Sequence, residues 1–258
     1  MLVTAQGFWV PKHGNTHEEY EDAFWPDGVG AIRDVPNFRC AVADGATETS
    51  FSAAWASLLT RRWCEERIGL RRFLRSLPEL ADQWRREVGD APLPWYAEEK
   101  VRAGAFSSLL GLVLHDVTAG RDWPSRWEAV AIGDSCLFQL RGDRLITTFP
   151  LAHSEDFNSR PFLLGSASPD AEEIGQHLSI LGGEFRVGDV FYLMTDALAC
   201  WFLRLHEEEG SAVEFIADIR EQKRFAGFVQ EWRAERDAEG RPYLRNDDVT
   251  LLRLEIDG

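Results

Sequence analysis

The chain has 258 residues, 45% of them hydrophobic, with Trp 10 and Phe 16, which is enough for a sizeable core and too apolar for a disordered chain. Its formal net charge of −15 argues against nucleic acid or an anionic membrane as a partner, because both would repel it. The start Met1-Leu2-Val3-Thr4 lacks the marks of a signal peptide, no apolar stretch reaches membrane-spanning length, and Cys40, Cys64, Cys136 and Cys200 have no zinc or redox spacing; a cytoplasmic protein with reduced thiols is expected.

Leu2 to Val10 reads as an edge strand, and Pro11 to His17 as a loop rich in Gly, Pro and Asn. His13 and His17 have the spacing of a zinc pair, but that spacing matters only on a helix, and Gly14-Asn15 opposes one. Glu18 to Asp22 is an acidic run leading into strand-like Ala23-Phe24-Trp25. A tight turn at Asp27-Gly28 predicts a hairpin with Val29-Gly30-Ala31-Ile32.

Phe38 to Ala43 is an apolar run that stops abruptly on Asp44-Gly45. A carboxylate at the end of a buried strand is held at the rim of the core, and glycine lets another group approach the backbone. The Asp44 carboxylate and the Gly45 carbonyl can therefore offer oxygens to one ion, while a strand-to-helix turn with Asp44 as cap accounts for the same residues.

Phe51, Ala54, Trp55, Leu58, Leu59 and Trp63 recur at helical spacing. A second helix is expected from Leu70 to Val88, interrupted or restarted at Pro78, and a third from Trp95 to Ala103. Phe106–His115, Arg126–Ile132, Cys136–Leu140 and Arg144–Phe149 then read as an antiparallel meander, with Gly133-Asp134-Ser135 as one of its hairpin turns. The segment 150–173 is polar and irregular, and its part from His153 to Glu173 is the candidate substrate-facing flap.

Leu178 to Leu181 reads as a strand closed by a turn at Gly182-Gly183, and Asp189 to Thr195 as a second buried strand ending on an acid, Asp196. An apolar helix from Ala197 to Leu205 follows, then two surface helices between Ser211 and Glu239. Asp247-Asp248 opens a final strand, so an antiparallel neighbour would bring its acids to the strand-end acids elsewhere. In the same way, Glu21 and Asp22 can meet Asp44.

Glu21, Asp22, Asp44, Asp134, Asp196 and Asp247 thus all lie at boundaries of apolar β runs, a costly habit for carboxylates unless something cationic joins them. No His or Cys accompanies them, and an oxygen-only set selects Mg²⁺ or Mn²⁺ over zinc. Two such ions about 4 Å apart would clamp a phosphoryl group and activate a water between them.

Glu21-Asp22-Ala23, Val42-Ala43-Asp44-Gly45, Gly133-Asp134-Ser135, Thr195-Asp196 and Asp247-Asp248-Val249-Thr250, in this order and with about these separations, resemble the type-2C family of metal-dependent serine/threonine protein phosphatases. The bacterial stand-alone branch is the most similar, and the match runs from about Gly7 to Ile256. The resemblance implies an α+β fold in one domain over 1–258, a four-layer α-β-β-α sandwich of two antiparallel sheets flanked by helices.

It implies two Mg²⁺ or Mn²⁺, with Asp44 bridging them, Gly45 giving its carbonyl to one, and Asp196 and Asp247 holding the other. Glu21 would act through metal-bound water, Asp22 as a ligand or a ligand's partner, and Asp134 with Asp196 on a weaker third ion. The implied reaction is hydrolysis of phosphoserine or phosphothreonine in substrates of a serine/threonine kinase, by a hydroxide bridging the metals.

The chain departs from the family at several positions. His17, with Lys12 and His13 nearby, stands where a phosphate-binding Arg is common, and Ala46 stands where a His is proposed as general acid. Ala197 replaces a usual Gly, Asp248 a common Asn, and Cys136 a usual Arg. A non-catalytic phosphoprotein-binding module on the same fold and a phosphatase of small metabolites remain as alternative readings.

Overall fold

The computed structural model describes residues 1–27, 30–32, 37–46, 51–65, 68–89, 101, 103–116, 125–157, 160–167, 169–210 and 212–257. Strands β1 (Leu2–Val10), β2 (Ala23–Trp25), β3 (Gly30–Ile32) and β4 (Asn37–Ala43) come first, followed by helices α1 (Ser52–Cys64) and α2 (Leu70–Gly89). The middle of the chain forms β5 (Phe106–Ser107), β6 (Leu109–His115), β7 (Ser125–Ile132), β8 (Cys136–Arg141), β9 (Arg144–Phe149) and β10 (Leu164–Gly165). Then come α3 (Ala171–His177), β11 (Ser179–Phe185), β12 (Asp189–Met194), α4 (Asp196–Glu209), α5 (Ala212–Ala217), α6 (Gln222–Ala234) and β13 (Val249–Asp257).

The strands form a six-stranded sheet ordered β3-β1-β13-β12-β8-β9 and a five-stranded sheet ordered β11-β7-β6-β4-β2, with β10 and β5 paired beside them. Neighbouring strands run antiparallel. Alternation along each strand sets the layers, because successive side chains face opposite sides of a sheet. Cys40 and Val42 of β4 meet Leu252 and Leu254 of β13 between the sheets, while Ala41 and Ala43 face outward to Trp55, Leu59 and Trp63 of α1. On the other outer face, Leu251 of β13 and Met194 of β12 pack against Trp201 and Phe202 of α4 and Phe225 and Val229 of α6. Helices therefore cover both sheets, giving the expected α-β-β-α order.

Several local expectations are corrected. β1 is not an edge strand, since it lies between β3 and β13. β2 and β3 form no hairpin: β2 pairs with β4 and β3 with β1, in different sheets. Pro78 lies inside a continuous α2; the apolar stripe on both sides of it (Leu77, Leu80, Ala81, Trp84) packs into one core, which outweighs the backbone bond that proline removes. The helix expected from Trp95 lies mostly outside the described residues.

Two turns are also reassigned. Gly133-Asp134-Ser135 is a crossing from the five-stranded to the six-stranded sheet, because β7 pairs with β6 and β11 while β8 pairs with β9 and β12. Gly182-Gly183 is no turn, and β11 runs straight through it in register with Glu128 and Trp127. The Trp127 indole lies over Gly183, filling the place a side chain would take.

The two ends of the sandwich differ. At one end a polar network ties the sheets together: Trp127 donates to Gln139 at 3.0 Å, Gln139 to Asp189 at 2.9 Å, and Arg141 to both Asp189 oxygens at 2.7 and 2.8 Å. Burial opposes the charge on Asp189, and these donors nevertheless hold its carboxyl below the ordinary range. At the other end β4, β7 and β12 finish and β13 begins. That end gathers the acids. Among the described residues no helix is long and apolar enough to cross a membrane.

Candidate metal centre

The register of three strand pairs assembles the acidic end. Ala23 of β2 faces Ala43 of β4, which sets Asp22 across from Asp44. Met194 of β12 faces Leu251 of β13, so Asp196, the first residue of α4, lies beside the start of β13. Direct bonds then join the pieces. Thr250 donates to Asp22 Oδ2 at 2.6 Å, and the Glu21 amide donates to Asp248 Oδ2 at 2.7 Å. Tyr20 is hydrogen-bonded to Thr250 through its hydroxyl.

The Asp44 backbone is fixed on both sides. Its amide donates to Ser108 Oγ at 2.9 Å, and its carbonyl accepts from the Ser108 amide and from Ser107 Oγ, each at 2.9 Å. Ser52, at the start of α1, donates to Glu21 Oε1 at 2.5 Å. Gly45 is squeezed between these elements, and a Cβ there would lie 2.5 Å from the Glu21 carbonyl oxygen. Only glycine permits so close an approach.

Electrostatically the cluster carries more negative than positive charge. Burial, then Asp248 and Asp247, push Asp22 up to about 8, against the opposing hydrogen bonds from Thr250 and Thr195. Burial, then Asp22, Asp134 and Asp247, push Asp44 well above the ordinary carboxylate range. Asp134 is raised chiefly by burial, with Asp247 adding to it. Asp22 Oδ1 and Asp196 Oδ1 are both buried without a hydrogen-bond partner.

Arg245 provides a counter-charge that the sequence reading did not find. Its guanidinium pairs with Asp196 Oδ2, its Nε lies 3.9 Å from Asp247 Oδ2, and its charge opposes the raised pKa of both Asp44 and Asp134. The clue in the sequence is its place two residues before Asp247. Asp248 is more than a substitute for Asn, since it also accepts from the Lys12 amide at 2.7 Å.

The structure thus places Asp22, Asp44, Asp134, Asp196 and Asp247 within one electrostatic neighbourhood, with Glu21 and Gly45 at its edge. Among the described residues, however, no three His, Cys, Asp or Glu side chains are drawn close enough to hold an ion. The donor chemistry still fits a hard divalent cation, because it is oxygen-only, too negative for its burial, and contains two carboxylate oxygens without partners. Arg245 is 42% exposed, so its guanidinium has a way out to solvent. Lys12 and His17 lie outside the cluster. Lys12 is tied to it through its amide, and the exposed His17 ring packs edge-on against Trp9 at 4.9 Å.

No protein-family model matches this chain, and no curated protein does. Solved structures match it over its whole length. The serine/threonine phosphatase PstP/Ppp of Mycobacterium tuberculosis aligns with a TM-score of 0.59 at 14% identity, covering 100% of both chains. The chain has the type-2C phosphatase fold. The PstP catalytic domain in complex with two manganese ions aligns at a TM-score of 0.58 and 15% identity, again over 100% of both chains. RsbX in complex with magnesium gives 0.54 at 13% identity, covering 99% of this chain and 96% of its own. At such identities the type-2C likeness establishes the architecture alone.

Proposed function

We propose that the chain is a Mg²⁺- or Mn²⁺-dependent phosphatase that removes phosphate from phosphoserine or phosphothreonine in proteins phosphorylated by a serine/threonine kinase. The observation that carries this reading is the excess of buried negative charge at one end of the sandwich, with Asp22 Oδ1 and Asp196 Oδ1 unpartnered. The known structures of this fold, with manganese in PstP and magnesium in RsbX, agree with it.

Asp44, with Gly45 through its carbonyl, and Asp196 with Asp247 would hold a pair of ions, and Asp134 a third. When bound, such ions supply Lewis acidity toward a phosphoryl oxygen and lower the pKa of water. The chain's own residues then have separate tasks. Glu21, set by Ser52, and Asp22, set by Thr250, orient water at the rim. Lys12 and His17 offer cationic or hydrogen-bonding contact to the phosphate. Neither reproduces the two-pronged grip of an arginine. Ala46 has no proton to give, so the departing seryl or threonyl oxygen takes its proton from solvent.

The test is hydrolysis of an aryl phosphate and of phosphothreonine peptides with Mn²⁺, comparing the native chain with Asp44→Asn and Asp196→Asn. Each variant is expected to lose about 100-fold or more in rate. Folded native protein that is inert with every divalent ion refutes the enzyme reading, and cleavage of aryl phosphate without cleavage of any phosphopeptide refutes only the protein substrate. One observation favours a binding module without turnover: Arg245 already occupies Asp196. In that case metal would neither bind nor activate.

A further inference from the structure

Beside the acidic centre lies a cleft of 820 Å³ between the loop after β1 and helix α6. Its cationic and imidazole side chains are Lys12, His13, His17, Arg233 and Arg236, and its described lining contains no Asp or Glu. In a chain with 43 acidic residues against 28 basic ones, that lining is a local inversion of charge. Trp9 adds an aromatic wall, and Gln222, Gln230 and Asn246 add amide groups.

The cleft is held in shape by bonds across it. The Trp9 amide donates to Gln222 Oε1 at 3.2 Å, Gln222 donates in return to the Trp9 carbonyl, and Arg233 donates to the Pro11 carbonyl at 3.1 Å. Arg236 is anchored to the carbonyls that end α6, which fixes its guanidinium at the rim. The cleft is also joined to the candidate centre. The His13 amide donates to Asn246 Oδ1 at 2.7 Å, the Lys12 amide to Asp248 Oδ1 at 2.7 Å, and Arg233 to the Asp247 carbonyl. A peptide whose phosphate reaches the acidic end therefore has neighbouring residues within reach of the cleft.

We propose that this cleft binds an acidic stretch of the substrate protein beside the target phosphoresidue, so that the preferred substrates carry Asp, Glu or a second phosphate there. Preorganised cations facing a mobile anionic segment select by charge complementarity and speed encounter. The inference rests on the phosphatase reading for the bond that is cleaved, but binding in the cleft needs no turnover.

The experiment measures fluorescence anisotropy of dye-labelled phosphothreonine peptides with neutral or acidic flanks on the metal-free chain, and Mn²⁺-dependent aryl phosphate hydrolysis in parallel. In a double variant, Arg236→Glu reverses one charge of the rim and Gln230→Glu adds a negative charge beside it, both at exposed positions. Acidic flanks are expected to tighten binding about 10-fold at low salt, and the double variant to reduce that advantage to about 2-fold while leaving aryl phosphate hydrolysis unchanged. Equal binding of both peptides, or an advantage that survives the double variant, overturns the cleft assignment even if hydrolysis is normal. A preserved flank preference with no hydrolysis refutes the phosphatase reading and leaves the cleft standing.

Discussion

Asp44 sits beside Asp22, Asp134 and Asp247, and burial together with these neighbours raises its pKa far above the ordinary 3.8. In the unfolded chain such a group ionises near pH 4, while in the fold it keeps its proton to higher pH. The folded state therefore binds more protons than the unfolded state across that interval, and stability falls as pH rises. Asp22, pushed up to about 8, sets the window at roughly pH 4 to 8. Without metal, the melting temperature is expected to decline steadily between about pH 5 and pH 8, where each unit of pKa shift corresponds to about 1.4 kcal/mol. Asp44→Asn removes a group whose ionisation the fold opposes, so it should raise the metal-free melting temperature at pH 8 and flatten the decline while cutting metal-dependent hydrolysis about 100-fold or more. Calorimetry at both pH values checks this, and a variant that melts lower with an unchanged slope contradicts the assignment. A residue that weakens the empty fold yet is needed for its chemistry is expected at a functional site.

Among the secondary-structure elements, β11 shows how packing overrode a local reading. Gly182-Gly183 looks like a turn in the sequence, but β11 passes through it because the Trp127 ring lies over Gly183 and needs the space. A Cβ on Gly183 would come within 2.7 Å of indole atoms that are pinned by the bond to Gln139. Gly183→Ala should therefore destabilise the chain by about 1–3 kcal/mol in urea unfolding, despite the better strand propensity of alanine. The strand-end acids were legible for the opposite reason. An apolar run that stops on an acid, as at Ala43-Asp44 and before Asp196, carries its own position within the chain. Gly133-Asp134 was less legible, since a turn sequence does not say which sheet the next strand joins. Arg245 was not legible because a long side chain four residues before its strand can reach several partners. The resemblance supplied the layer order that local patterns left open.

For the molecule as a whole, whose net charge is −15, the fold concentrates several buried acids at one end of the sandwich, while the cleft beside it is basic. Bound divalent ions would relieve the concentrated part, and a ligand that binds only the folded state raises stability by about 2.7 kcal/mol at a hundredfold excess over its Kd. For a chain of this size that corresponds to a rise in melting temperature of about 5–10 °C. NaCl at matched ionic strength only screens the repulsion and should give a smaller rise. Arg245 gives the metal effect a second readout, because its guanidinium and an ion compete for Asp196. Arg245→Gln should begin from a lower metal-free melting temperature at pH 8, since the acids lose their counter-charge. It should then gain more from Mn²⁺ than the native chain does, because the ion no longer has to displace a cation. Thermal melts of the two proteins across a Mn²⁺ series measure both quantities. A rise no larger with Mn²⁺ than with matched NaCl would mean that the acidic end holds no divalent ion, and a smaller gain in the variant would mean that Arg245 assists the ion instead of opposing it.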